Sequence, residues 1–411
     1  MTVRNHLLPI LCYALGGPEP PLPDTSEEWQ TLLDTAARHR VEGIVCQTLY
    51  KLPAFETLSP TWKTPLVARS RAISITQTRK TADFLSLICF LAERNLFPLV
   101  VKGIVCRSLW QDPELRPSGD EDLLIHPEEL PAYREALAEY GMTALSESES
   151  EATYHAPNTG LFIEIHTCLF PGSHKVISSM NRFFADIFTT AETHTVESIP
   201  LRVPEPTLHL LYLFLHALKH FLYSGVGIRQ VCDITLFAER FGAVIRWDAI
   251  KAAMDELNAT VWYSSVLAIC RDRLALVPES AHLPLAHFDD AIDTEPLLSD
   301  ILSGAVYGAD GAARLHSGNI TLSAAEGISH RSSLLRTLFP PFSTMKKRYP
   351  YLQRFPFLLP YSWLARAVSY HKEVTSEGDN VTESLAIGKR RADLLTRYGL
   401  TPHRKKGVSD L

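Results

Sequence analysis

In the N-terminal part of the chain, apolar positions recur at helical spacing. Thr25 or Ser26 can cap a helix over 27–40 after the Pro-rich loop 17–25, and a second helical segment runs over 43–52. Pro60 and Pro65 mark a break, and the spacing predicts a long helix over 66–94. At Asn95-Leu-Phe-Pro98 the pattern changes. Leu99-Val-Val101 reads as a short strand, 103–110 as a helix and 111–119 as a loop of turn residues. A strand over 120–126 and a helix over 127–140 come next, the helix opening on Pro127, Glu128 and Glu129. Two more strands, 153–156 and 161–167, flank the turn Pro157-Asn-Thr-Gly160 as a hairpin. From Glu205 the pattern is helical almost to the end, bent at Pro340-Pro341 and at the aromatic, Pro-punctuated stretch 349–361.

This pattern predicts an α+β protein, a small mixed-sheet core embedded in a mainly helical chain. The expected division is a helical N-terminal segment over 1–65 and an α/β core over 66–200. A helical domain packing on the core spans 201–275, and a C-terminal helical region spans 276–411. With 46% hydrophobic and 21% charged residues the composition is that of a globular protein with a sizeable core. A net charge of −6 leaves no basic footprint for bulk nucleic-acid binding, only room for a local basic groove. The 7 cysteines are scattered without a Cys-x-x-Cys pair, which suits reduced thiols and a cytoplasmic location. Arg4 and His6 before the apolar stretch 7–15 faintly imitate a secretion signal. Pro9 interrupts that stretch, so it is read as a helix packing on the neighbouring domain. No window reaches the roughly 18 uninterrupted apolar residues of a membrane span, so no integral membrane association is expected.

The chemistry concentrates in Arg116-Pro-Ser-Gly-Asp-Glu-Asp-Leu-Leu-Ile125. Strand alternation points Asp120 and Asp122 to one face, about 7 Å apart, and Glu121 to the other. Two acids leading into a buried apolar strand need a reason to be there, and divalent metal supplies one. The plainer alternative is a solvated loop end. Along 161–167, Glu164 and His166 share a face, and Glu164 becomes a third carboxylate if that strand lies beside 120–126. Gly103 at a strand–helix junction lets a phosphate approach the backbone, with Lys102 and Arg116 as neutralising cations and Arg116 suited to a bidentate grip. The alternatives are a surface lysine at Lys102 and an ion pair of Arg116 with Glu114 or Glu121.

These residues resemble a bacterial nucleotidyltransferase-like family that carries a Lys-Gly…Arg-Pro…Gly-Asp-x-Asp-Leu-Leu-Val signature, within the DNA polymerase β-like nucleotidyltransferase superfamily. The resemblance runs through Lys102-Gly103, Arg116-Pro117, the Gly119-to-Ile125 run, Gly141 and Glu164-Ile-His166. It extends to Ala37-Arg-His-Arg-Val41, His216-Ala-Leu-Lys-His220 and Cys232-Asp233-Ile234. It implies a polymerase β-like core with Asp120, Asp122 and Glu164 as catalytic metal ligands for Mg²⁺ or Mn²⁺, and Lys102 and Gly103 on the nucleotide side. The implied reaction moves a nucleoside monophosphate from an NTP, ATP first, to a hydroxyl or phosphate acceptor. A small molecule or peptide is the expected acceptor rather than nucleic acid. The chain departs from the wider superfamily at Ile104, where a Gly-Gly or Gly-Ser pair is usual; Ser118, beside Gly119, is the substitute donor to the nucleotide.

His216 and His220 resemble a zinc pair, but the glutamate of a zinc-protease signature is absent and their helix is otherwise apolar. His166, Lys219, His220, Arg229 and Asp233 are candidate substrate contacts, set against a core helix with a snorkelling Lys219. The aromatic segment 349–370, with Lys346, Lys347, Arg348, Arg354 and Arg366, is read as a helical packing segment rather than a membrane or nucleic-acid surface. Two functions of different kinds therefore compete: a magnesium-dependent transferase, and a binding or scaffold protein that kept the fold without the activity. A third, recognition of structured RNA by the helices after 200, runs against the acidic net charge.

Overall fold

A computed structural model describes residues 3–304 apart from Glu149, Ser173 and Ser224, together with Phe342, 345–346, 349–365 and 381–401. Pro340-Pro341, Lys347, Arg348 and Arg366 lie outside the described residues.

The expected α+β architecture is present. Strands Leu99–Val100 (β1), Glu121–Leu124 (β2), Thr143–Glu147 (β3), Glu151–Ala156 (β4), Leu161–His166 (β5), Glu192–Val196 (β6) and Ile199–Val203 (β7) form one mixed sheet. Their order is β3-β4-β5-β2-β1-β7-β6. β2 sits near the middle, antiparallel to β1 and parallel to β5, with Asp122 directly opposite Glu164 and Leu124 opposite His166. β4 and β5 form the expected hairpin, Ala156 pairing with Leu161 across the turn.

Alternation gives the sheet two different faces. Val100, Leu123, Ile125, Ile163 and Ile165 point into one apolar cluster. It is closed by Phe84, Leu87 and Leu91 of the long helix Pro60–Ala92 and by Tyr133 and Leu137 of Leu130–Glu139. Leu99, Val101 and Leu124 point the other way, into a cluster shared with the helices C-terminal to the sheet. Chief among these are Pro206–Tyr223 and Ile228–Phe241, with Trp247–Glu256 and Thr260–Arg273 behind them.

In chain order the principal helices are Leu8–Ala14 (α1), Ser26–Arg38 (α2), Glu42–Lys51 (α3), Pro60–Ala92 (α4), Ile104–Arg107 (α5), Leu130–Glu139 (α6), Pro206–Tyr223 (α7) and Ile228–Phe241 (α8). α1 buries Leu8, Ile10 and Leu11 in the shared core. Thr25 caps α2 through a reciprocal capping box with Glu28. The break expected between Pro60 and Pro65 is not there: α4 begins at Pro60 and runs through Pro65. A proline at the first helical position has no amide to lose, and Pro65 lies little more than one turn further on. Among the described residues no helix is long and apolar enough to cross a membrane, and all 7 cysteines are free thiols. In the described part of 349–370, Leu352 is buried, while Phe355, Phe357, Tyr361 and Leu364 are exposed.

His209 of α7 is buried beneath the sheet, where its Nε2 donates to the Val101 carbonyl at 2.6 Å. His39, also buried, donates through Nε2 to the Leu302 carbonyl at 3.1 Å. Burial pushes both imidazoles down to about 4, so both stay neutral in the folded state. The unfolded chain protonates them near pH 6.5, so stability is full above that value and is lost as pH falls toward 4. Each histidine is worth at most about 3 kcal/mol across this window. Urea denaturation at pH 7 and pH 4.5 should show that loss in the wild type and a clearly shallower pH dependence in His209→Gln.

Candidate active site

β2 ends the loop 116–120 and carries Asp122 onto the face that looks toward α7 and α8. Asp122 is buried and Glu164, its neighbour across the β2–β5 pair, is about a quarter exposed. His166 Nε2 lies 3.0 Å from Asp122 Oδ1 and 3.5 Å from Glu164 Oε2. One donor atom each from Asp122, Glu164 and His166 falls within a 4.8 Å group. Two carboxylates and an imidazole are a sound donor set for a divalent ion. Asp122 Oδ2 is buried and faces the Lys102 ammonium at 2.9 Å, so this oxygen is already engaged by a cation of the chain. Asp120 stands just before the strand, more open to solvent, and lies outside that group of three.

Two cations of the chain already sit among these carboxylates. Lys102 Nζ is 2.9 Å from Asp122 Oδ2 and 3.8 Å from Asp120 Oδ2, so it faces the acids rather than an open phosphate site. Burial disfavours charge on Lys102, but Asp122 and Asp120 outweigh it and hold the ammonium well above its ordinary range. On the other side, burial works against the His166 imidazolium, while its bonds to Asp122 and Glu164 raise it to about 9. Burial likewise opposes ionisation of Asp122, yet Lys102 and His166 keep it a carboxylate well below the usual range.

Glu121, the middle acid of the run, does a different job. It points to the opposite face, is fully buried and accepts from the Ile104 amide at 2.5 Å and from Ser118 Oγ at 3.0 Å. Arg107 Nη2 pairs with it at 3.1 Å. The amide at the start of α5 is thus capped by the chain's own carboxylate. Gly103 adopts φ 58°, and a Cβ there would collide with Glu121 Oε2. Its glycine is explained by that close approach and the positive φ together. Gly103→Ala is expected to cost about 2–4 kcal/mol in thermal or urea unfolding. If the glycine served only a phosphate, the substitution would weaken nucleotide binding and leave stability unchanged.

The other wall of the cleft comes from α7 and α8. Arg116 is buried and its bidentate grip is on Asp233 of α8: Nε to Oδ1 at 2.9 Å and Nη2 to Oδ2 at 2.5 Å. Trp110 Nε1 donates to the same carboxylate at 3.0 Å. Neither Glu114 nor Glu121 is the partner of Arg116. Ser118 Oγ bonds the Asp120 carbonyl and Glu121, and its amide donates to Gln77 of α4, so the loop is held from beneath. Gly119 lies bare beside the Arg40 guanidinium, 3.1 Å from where a Cβ would stand.

His216 Nε2 is 3.4 Å from Lys102 Nζ and 3.3 Å from His220 Nε2. Burial, reinforced by the Lys102 charge, pushes His216 well down and His220 to about 3, so both are neutral. Among the described residues no third ligand atom joins them in a metal-sized group. Lys219, on the same helix, is not among the residues that line the cleft. Arg229, which the sequence offers only as one substrate contact among several, has a more central place. It lines the cleft with Lys102, Gly119, Asp120 and His216 and donates to the Pro117 carbonyl.

The chain belongs to a family described as an uncharacterised nucleotidyltransferase, whose model matches residues 25–275. That span takes in α2 through the sheet, the carboxylates and both helices of the far wall. No curated protein and no solved structure matches the chain.

Proposed function

We propose that this protein transfers a nucleoside monophosphate from an NTP, ATP first, to a hydroxyl or phosphate acceptor, with Mg²⁺ or Mn²⁺ held by Asp122, Glu164 and Asp120. The observation that carries the reading is the β2–β5 register: it sets Asp122 opposite Glu164 in a chain of the nucleotidyltransferase family. A polymerase β-like ancestry accounts for this arrangement. His166 is the nitrogen donor in the same group. A divalent ion bound there would neutralise phosphate charge and lower the pKa of an attacking oxygen. The acceptor oxygen bonds to the α-phosphorus, the bond to the β-phosphate oxygen breaks, and pyrophosphate leaves. Asp120, solvent-facing at the cleft, takes the acceptor proton. A dication held there would take over the neutralisation of Asp122 and Asp120 and leave the Lys102 ammonium for the phosphates. The net charge of −6 favours a small-molecule or peptide acceptor over nucleic acid, and the free thiols suit the cytoplasm.

The test is incubation of the full chain with α-labelled ATP, Mg²⁺ or Mn²⁺ and size-fractionated bacterial extract. Label appearing on an acceptor with release of pyrophosphate, and lost with chelator, is the expected result. A second reading is favoured by Lys102 sitting among the acids and by Glu121 capping α5: a nucleotide-binding protein without transfer activity. Metal-dependent ATP binding with no labelled acceptor in any fraction selects it.

A further inference from the structure

In the cleft, Arg116 is saturated by Asp233 and Lys102 faces Asp122 and Asp120, while Arg107 faces Glu121 on the other side of the sheet. Arg229 is the exception. Among the described residues it has no carboxylate within ion-pair distance, and the group it donates to is the neutral Pro117 carbonyl. Its Nε is buried without a hydrogen-bond partner. Asp233 lies one turn further along α8, on the same side, but both of its oxygens are already taken by Arg116 and Trp110. A half-buried guanidinium whose Nε is shut off from water without a partner is stabilised when an anion arrives. A planar fork of donors matches phosphate oxygens best. The start of α5 cannot serve that anion, because Glu121 holds its amide.

We propose that Arg229 is the anchor for the phosphate tail of the nucleotide, contributed by the helical wall across from the Ser118-Gly119 loop. The proposal rests on the nucleotidyltransferase reading and adds the residue that grips the triphosphate. The cleft that Arg229 lines reaches Gly119, Asp120 and Lys102. Burial and the nearby Arg116 charge lower Arg229 to about 10, consistent with a cation that lacks its counter-charge.

Calorimetric titration of the full chain with ATP, inorganic tripolyphosphate and adenosine, with Mn²⁺ present, tests this in the wild type, Arg229→Gln and Arg229→Lys. Arg229→Gln should weaken ATP and tripolyphosphate by about tenfold to a hundredfold, as loss of a charge-assisted contact does. Adenosine binding should hold, and the melting temperature should stay near that of the wild type, because a half-buried cation without a carboxylate partner is removed together with its one bond to the Pro117 carbonyl. Arg229→Lys should recover part of the affinity. A merely structural Arg229 would instead lower the melting temperature and move all three ligands together. Wild-type ATP binding that Arg229→Gln leaves unchanged overturns the anchor but not the transferase. Failure of the wild type to bind either ATP or tripolyphosphate overturns both.

Discussion

Asp122→Asn is expected to reduce nucleotidyl transfer by on the order of 10³-fold or more while leaving a folded protein. The substitution keeps the shape of the side chain and removes the charge that Lys102 and His166 both face. An amide cannot hold a hard dication as a carboxylate does, so metal-dependent nucleotide binding should fall with the activity. Stability should fall too, by about 1–3 kcal/mol, because the half-buried Lys102 keeps only the more distant Asp120. The imidazole of His166 can shed its proton and so adds less to that loss. Glu164→Gln separates the two effects. Glu164 is more exposed, so its loss should touch stability little and transfer nearly as much. Activity and thermal unfolding measured on both variants decide the matter. An Asp122→Asn protein with wild-type transfer and metal-dependent ATP binding would remove the metal assignment altogether.

How far this site was legible in the sequence differs residue by residue. Alternation alone assigns Asp122 and Glu121 to opposite faces and puts Glu164 with His166, because side-chain direction in a strand is local. Which strands are neighbours is not local, and only the β2–β5 pairing brings Glu164 to Asp122. Lys102 shows the same limit. β1 runs antiparallel to β2, Val100 opposite Leu123, so the chain leaving β1 delivers Lys102 beside the acids. Arg116 finds its partner 117 residues away, on a helix whose approach no spacing rule predicts.

The strands that the apolar pattern does not reveal lack the usual signal. β3 is exposed along its whole length, so it shows no apolar alternation. β6 and β7 turn at Glu197 and Ser198, both with positive φ, without the Asn-Gly or Asp-Gly that ordinarily marks such a turn, and β7 contains Pro200. The sheet therefore runs to Val203, past the boundary expected at 200.

The second large effect concerns the joint between the sheet domain and its helical wall. Arg116→Ala should cost about 3–5 kcal/mol, since it leaves Asp233 ionised and buried with only Trp110 as donor. Asp233→Ala should cost a similar amount by stranding Arg116, whose charge Asp233 sustains well above the ordinary range against the effect of burial. The pair is worth much less than either loss suggests, because two desolvated charges largely offset their own attraction. Arg116→Met combined with Asp233→Leu should therefore recover most of the stability, short by about 1–2 kcal/mol for the Trp110 N–H left without an acceptor. A nucleotide-gripping Arg116 makes the opposite prediction: a raised KM for ATP at unchanged melting temperature, with no rescue in the double variant. Because Asp233 lies one turn from Arg229 on α8, Arg116→Ala should also free the Asp233 carboxylate to pair with Arg229 in place of a phosphate. Tripolyphosphate affinity should then fall in Arg116→Ala and return in the double variant together with the fold.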